Sequence, residues 1–120
     1  MAGTVRVLIL KKNSLQSRIY GSNYALIIGD DSMSPEFLKS DIVLIKSNFK
    51  KVSSSCYSVR MDEKDSIGKD IRKCIFHDTI VVMIPLNDTY ETIIVDCSKI
   101  EYDPVAGKVN SRYRECRHIK

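Results

Sequence analysis

Eight short runs rich in valine, isoleucine and tyrosine, each followed by turn-forming residues, constrain this chain most. They are Val5 to Leu10, Tyr24 to Ile28, Ile42 to Lys46, Cys56 to Met61, Ile71 to Phe76, Thr79 to Ile84, Thr92 to Val95 and Val105 to Val109. Each is of strand length and too short for an amphipathic helix, and branched or aromatic side chains suit a pleated, half-buried surface. His77-Asp78 reads as a tight hairpin, and Pro85-Leu86-Asn87-Asp88 ends the strand before it as a turn. Only Ser34 to Lys39 offers a helical turn, and Lys50 to Ser55 reads as an exposed loop. There is no internal repeat, low-complexity tract or linker. The expected fold is therefore all-β: a partly closed barrel or sandwich of short antiparallel strands with little helix. With 120 residues, 43% of them hydrophobic, residues 1–120 have the material for one core and one domain.

Between the second and third runs the pattern breaks at Gly29-Asp30-Asp31-Ser32-Met33-Ser34-Pro35-Glu36-Phe37. A glycine, two aspartates and a proline at a possible first helical turn present Ser32 at a backbone corner. A corner is where a nucleophile is useful, although a serine after a strand is more often a hydrogen-bonding turn residue.

Asp31-Ser32-Met33 resembles the Asp-Ser-Met signature of the LexA-like self-cleaving repressors and UmuD, and more distantly the bacterial signal peptidases. The similarity continues through Phe37-Leu38-Lys39-Ser40-Asp41-Ile42-Val43-Leu44-Ile45, with Ser40 where glycine is usual. It returns at Ile93-Ile94-Val95-Asp96 and at Val105-Ala106-Gly107-Lys108-Val109, so ordered blocks cover most of residues 24 to 114. The resemblance implies a LexA-like peptidase-fold domain in which the serine attacks a peptide carbonyl with a lysine as base, the Ser-Lys variant of triad logic. Only 31 residues precede Ser32, and none of them reads as a helix-turn-helix domain.

In that family the lysine lies in a Val-Lys-Arg-like triplet before a hairpin, and the returning strand closes in a Leu-Pro-x-Asn-like segment. The closing segment here is Met83-Ile84-Pro85-Leu86-Asn87, and counting back through the hairpin puts the triplet on Ile71-Arg72-Lys73. In the ungapped register Arg72 takes the base position, where a guanidinium cannot accept a serine proton. A one-residue bulge would bring Lys73 inward instead. Lys69 is a third candidate, because the loop from Asp62 to Asp70 is long enough to shift the register. The structural reading of all three is a surface charge on a hairpin.

The resemblance also implies a cleavable Ala-Gly or Cys-Gly bond upstream of the serine. Ala2-Gly3 is the one bond of that kind, and cutting it would release only a dipeptide after Met1. The expected role is accordingly a dimerisation and regulatory domain of a bacterial or phage transcriptional regulator, as in the SOS response, with self-cleavage in doubt. Two alternatives stay open: an active Ser-Lys autoprotease, with backbone amides near Ser32 as oxyanion donors, and a UmuD-like accessory subunit of a translesion polymerase. The family pairs through strand edges near the C-terminus, so the resemblance implies a homodimer, with Val105 to Arg112 as the pairing strand. It further implies a protein partner such as a recombinase filament, a polymerase or a DNA-binding domain.

The net charge of +4 raises the question of nucleic acid. Most basic residues, as in Lys11-Lys12, Lys50-Lys51 and Arg72-Lys73, are interleaved with acids and read as solvated surface. The tail Asn110 to Lys120 is the one basic cluster holding an aromatic, and reads as a ragged charged terminus, so direct nucleic-acid binding is not expected. Cys56, Cys74, Cys97 and Cys116 lack metal-ligand spacing, so no metal or cofactor is expected, and Cys56 and Cys74 fit as small core residues. No apolar run is long enough to span a bilayer, and without a signal peptide a cytoplasmic location is expected.

Overall fold

A computed structural model describes residues 6–9, 23–65 and 67–114. The candidate cleavage site Ala2-Gly3, the pair Lys11-Lys12, Cys116 and the rest of the tail beyond Arg114 lie outside the described residues.

All eight strand runs form strands: β1 (Arg6–Ile9), β2 (Tyr24–Ile27), β3 (Ile42–Lys46), β4 (Ser55–Val59), β5 (Asp70–His77), β6 (Ile80–Ile84), β7 (Ile93–Asp96) and β8 (Val105–Tyr113). They make one sheet in the order β1-β2-β3-β8-β4-β5-β6-β7, and every pairing is antiparallel. The all-β expectation holds. Among the described residues the sheet does not close into a barrel, because β1 and β7 stand at opposite ends of the order.

Alternation of burial along β6, with Val81 and Met83 inward, is the period-two signal of a strand with one covered face. At the start of β5 the alternation fails, and Ile71 and Arg72 are both buried. Both faces of the strand are covered there. Ile71 joins a core of Leu26, Ile28, Met33, Phe37, Val43 and Ile45, while Cys74 further along β5 belongs to a second core with Tyr57, Val59, Val81, Met83 and Val105.

Four details differ from the sequence reading. His77 pairs with Ile80, so the hairpin turn is Asp78-Thr79, one residue later, with Asp78 at a φ of 51°. The helical turn expected over Ser34 to Lys39 forms one residue earlier, from Met33, and goes no further than a single turn. One helical bond forms, from Phe37 N–H to the Met33 carbonyl. The following donors are then claimed elsewhere: Leu38 N–H by the Asp41 carboxylate and Ser40 N–H by the Ile28 carbonyl. The 3-10 turn Cys97–Lys99, capped by the Asp96 carboxylate, carries no apolar periodicity by which to recognise it.

The fourth concerns β8. It continues through Asn110–Tyr113, residues that read as a loose tail, and pairs with β3 as far as Ile42↔Tyr113. It is also an internal strand, since Val105, Gly107 and Lys108 pair with β4 while Lys108 and the residues after it pair with β3. The two pairings overlap only at Lys108: Val105 and Gly107 pair with β4 alone, and the residues from Val109 to Tyr113 pair with β3 alone.

Candidate active site at the serine turn

Beyond the end of β2, the Ile28 N–H donates to the Asp41 carbonyl and Ser40 N–H returns to the Ile28 carbonyl at 2.8 Å, so the segment between them forms a loop closed at its base. Met33 and Phe37 anchor it by burying their side chains in the first core, each contributing about 1.5–3 kcal/mol of apolar burial. Within this frame Asp30 organises the corner. Its Oδ1 accepts from Ser32 N–H at 3.1 Å and from Ser32 Oγ–H at 2.8 Å, the geometry of an aspartate closing a turn on the residue two positions ahead.

A second segment clamps the same corner. Asn87 N–H donates to the Ser32 carbonyl at 2.9 Å, Asn87 Nδ2 to the Asp31 carbonyl at 3.1 Å, and the Tyr90 hydroxyl to Asp31 Oδ1 at 2.8 Å. That last bond holds the Tyr90 phenol above its ordinary range. Asp30, Asn87 and Tyr90 were not singled out as site residues from the sequence. The i, i+2 spacing of Asp30 and Ser32 was a usable signal, and so was Asn87 as the end of the closing segment.

Arg72 comes to Ser32 from β5. Its Nη1 donates to Ser32 Oγ at 2.9 Å and to the Ile71 carbonyl at 2.7 Å. Ser32 is 3% exposed and Arg72 6%, so the contact is shielded from water. The serine oxygen thus gives its one proton to Asp30 and receives a proton from a guanidinium. Arg72 Nε is buried with no hydrogen-bond partner among the described residues, and an unpaired buried donor costs about 1–3 kcal/mol. Asp70 nearby is raised above the ordinary aspartate value by burial, with the positive charge of Arg72 acting in the opposite direction.

Of the two lysines, Lys73 lies away from the serine and Lys69 at the rim of its cavity. Lys73 pairs with Ile84 and Cys56 across β5 and lines a cavity of about 360 Å³ with Glu36, Phe37, Cys56 and Leu86, which does not include Ser32. Lys69 lines a cavity of about 10 Å³ beside Ser32, Asp30 and Asp70, enough for about one water, but it is exposed. A lysine base needs burial in an apolar pocket to shed its proton. Neither lysine hydrogen-bonds Ser32 among the described residues. Burial pushes the Cys56 thiol up to about 11 and the Cys74 thiol to about 12, which keeps these two in the thiol form near neutral pH. Among the described residues no cluster of His, Cys, Asp and Glu is arranged to hold a metal ion, and no helix is long and apolar enough to cross a membrane.

A family model described as Peptidase S24-like matches residues 5–109. No curated protein matches the chain.

Proposed function

From the premise that the chain belongs to the Peptidase S24-like family, we propose that it is a non-cleaving member, a self-associating protein-interaction domain of a bacterial or phage transcriptional regulator. The observation that supports this most is the 2.9 Å bond from Arg72 Nη1 to Ser32 Oγ. Acyl transfer by serine needs a group that takes the hydroxyl proton as the oxygen attacks. A guanidinium stays protonated in proteins and donates only. Asp30 does accept the serine proton in a hydrogen bond, but a carboxylate is too weak a base to take a proton fully from an alcohol. Arg72 therefore ties down the serine corner and occupies an oxygen lone pair that a nucleophile would use.

The test is covalent labelling of the purified chain with a serine-directed phosphonate, read by intact mass at neutral and alkaline pH, together with cleavage of a tethered Ala-Gly peptide. The unmodified chain should neither label nor cleave at either pH. Arg72→Lys should gain labelling at Ser32, more strongly at alkaline pH, because a lysine deprotonates well before an arginine. Alkaline activity in the unmodified chain that disappears in Lys69→Ala or Lys73→Ala would replace this reading with a working Ser-Lys protease.

A further inference from the structure

Away from the serine turn, a cavity of about 220 Å³ opens where the segment after β3 passes β8. Lys46, Lys50 and Lys108 line it together with Asn48, Phe49 and Val109, and no acidic residue contributes. Lys46 and Lys108 are directly opposite one another in the β3–β8 register. Like charges at opposed positions of an antiparallel pair are destabilising, and here the sheet places them without compensation. Among the described residues none of the three lysines has an acidic partner, whereas the neighbouring Lys51 pairs with Asp103 at 3.5 Å. The adjoining cavity of about 360 Å³ shares Lys108 and adds Lys73, with Glu36 as its single acid.

We propose that this lysine-lined cavity is a binding site for a phosphate group, carried either on a small phosphomonoester or on the backbone of a nucleic acid. Lysine ammonium groups bind phosphate as point charges with rotatable donors, and the Asn48 amide adds a neutral donor. The ring of Phe49 gives a ligand larger than phosphate an apolar surface to lie against. Lys46 and Lys50 come from one short segment, Lys108 is distant in sequence, and the pairing of β3 with β8 brings Lys108 to them.

The experiment is NMR titration of the full chain with inorganic phosphate and, separately, with a short oligodeoxythymidylate, each against sodium chloride at matched ionic strength. Both ligands should perturb one set of amides around Lys46 to Lys50 and Lys108. Lys46→Gln combined with Lys108→Gln should weaken binding at least about fivefold, with a melting temperature unchanged or raised because a like-charge pair is gone. Lys99→Gln, at an exposed lysine elsewhere, should bind as the unmodified chain does. Oligonucleotide affinity at least about tenfold above that for phosphate, falling by roughly 0.7 log units per neutralised phosphate for each tenfold rise in salt, assigns the ligand to a nucleic-acid backbone; equal affinities assign it to a free phosphate ester. Perturbations reproduced by chloride, or a double variant that binds like the unmodified chain, would overturn the proposal.

Discussion

Asp41 shows how one carboxylate joins two segments far apart in sequence. It is 1% exposed, yet its two oxygens take 2.8 Å bonds from Arg114 Nε and Nη2 and it accepts from Leu38 N–H at the exit of the serine turn. Arg112 stands at 3.8 Å. The hydrogen bonds from Arg114 hold the carboxyl below the ordinary aspartate value of 3.8, outweighing burial, and Leu38 N–H and the charge of Arg112 act in the same direction. Because the folded-state value is the lower one, the unfolded chain binds more protons at acid pH. The stabilisation is then fully present above about pH 4 and is lost as pH falls through the folded value. Asp70 has the opposite sign: raised by burial, it weakens the fold as pH rises from about 4. Urea unfolding of Asp41→Asn should show a loss of about 1.5–3 kcal/mol at neutral pH, the range for hydrogen bonds to charged groups, and a shallower decline below pH 4. An acid limb as steep as in the unmodified chain would remove Asp41 as its source. Two residues illustrate how far such detail was legible in the sequence. Ser40, which departs from the usual glycine of the family pattern, has a φ of 74°, the left-handed conformation that glycine adopts without cost. Arg112, by contrast, read as part of a loose tail because nothing local in the sequence shows a buried aspartate more than sixty residues away.

At the scale of the elements, β8 is the strand on which the sheet depends. It joins the β1-β2-β3 half to the β4-β5-β6-β7 half, and at Gly107 residues of both neighbouring strands crowd the backbone. A Cβ added there would press on the Ile45 side chain and lie 3.1 Å from the Lys46 carbonyl oxygen and 3.2 Å from Ser58 Oγ. Ile45 is fully buried and the Lys46 carbonyl is backbone, so neither can move far. Gly107→Ala should therefore cost about 1–3 kcal/mol, the range for overpacking, measured as a lower urea midpoint with an unchanged slope. A neutral result would mean that β8 shifts freely against β3. All eight strands were legible because branched apolar runs and turn residues are local signals. The apolar pattern ends the run at Val109 because Asn110 to Arg112 are polar and pair without an apolar stripe, and only the family resemblance carried the strand on to Arg112. The hairpin was placed one residue early because its turn type depends on Asp78 adopting a positive φ, which His77-Asp78-Thr79 does not announce.

For the molecule as a whole, an open sheet leaves a strand edge, and the way a protein covers its edges decides whether it pairs. Among the described residues β7 hydrogen-bonds only to β6, and it carries the most exposed aliphatic side chain of the core strands: Ile94 is 67% exposed, beside Ile93. Through the registers of β5 with β6 and β6 with β7, Ile75, Val82 and Ile94 form one row across a single face. β7 is therefore a candidate, beside the strand Val105 to Arg112, for the homodimer implied by the family resemblance. Two β7 strands pairing antiparallel about a two-fold axis would satisfy the free backbone groups of both and bury Ile94 against its symmetry mate. Sedimentation velocity at tens of micromolar should then show a dimer. Ile94→Lys, a charge of the kind that natural edges use to discourage pairing, should shift the chain to monomer without loss of its β-type circular dichroism. A chain that is monomeric at high micromolar concentration would eliminate self-association, while a dimer unaffected by Ile94→Lys would retain it and exclude β7 as the pairing edge.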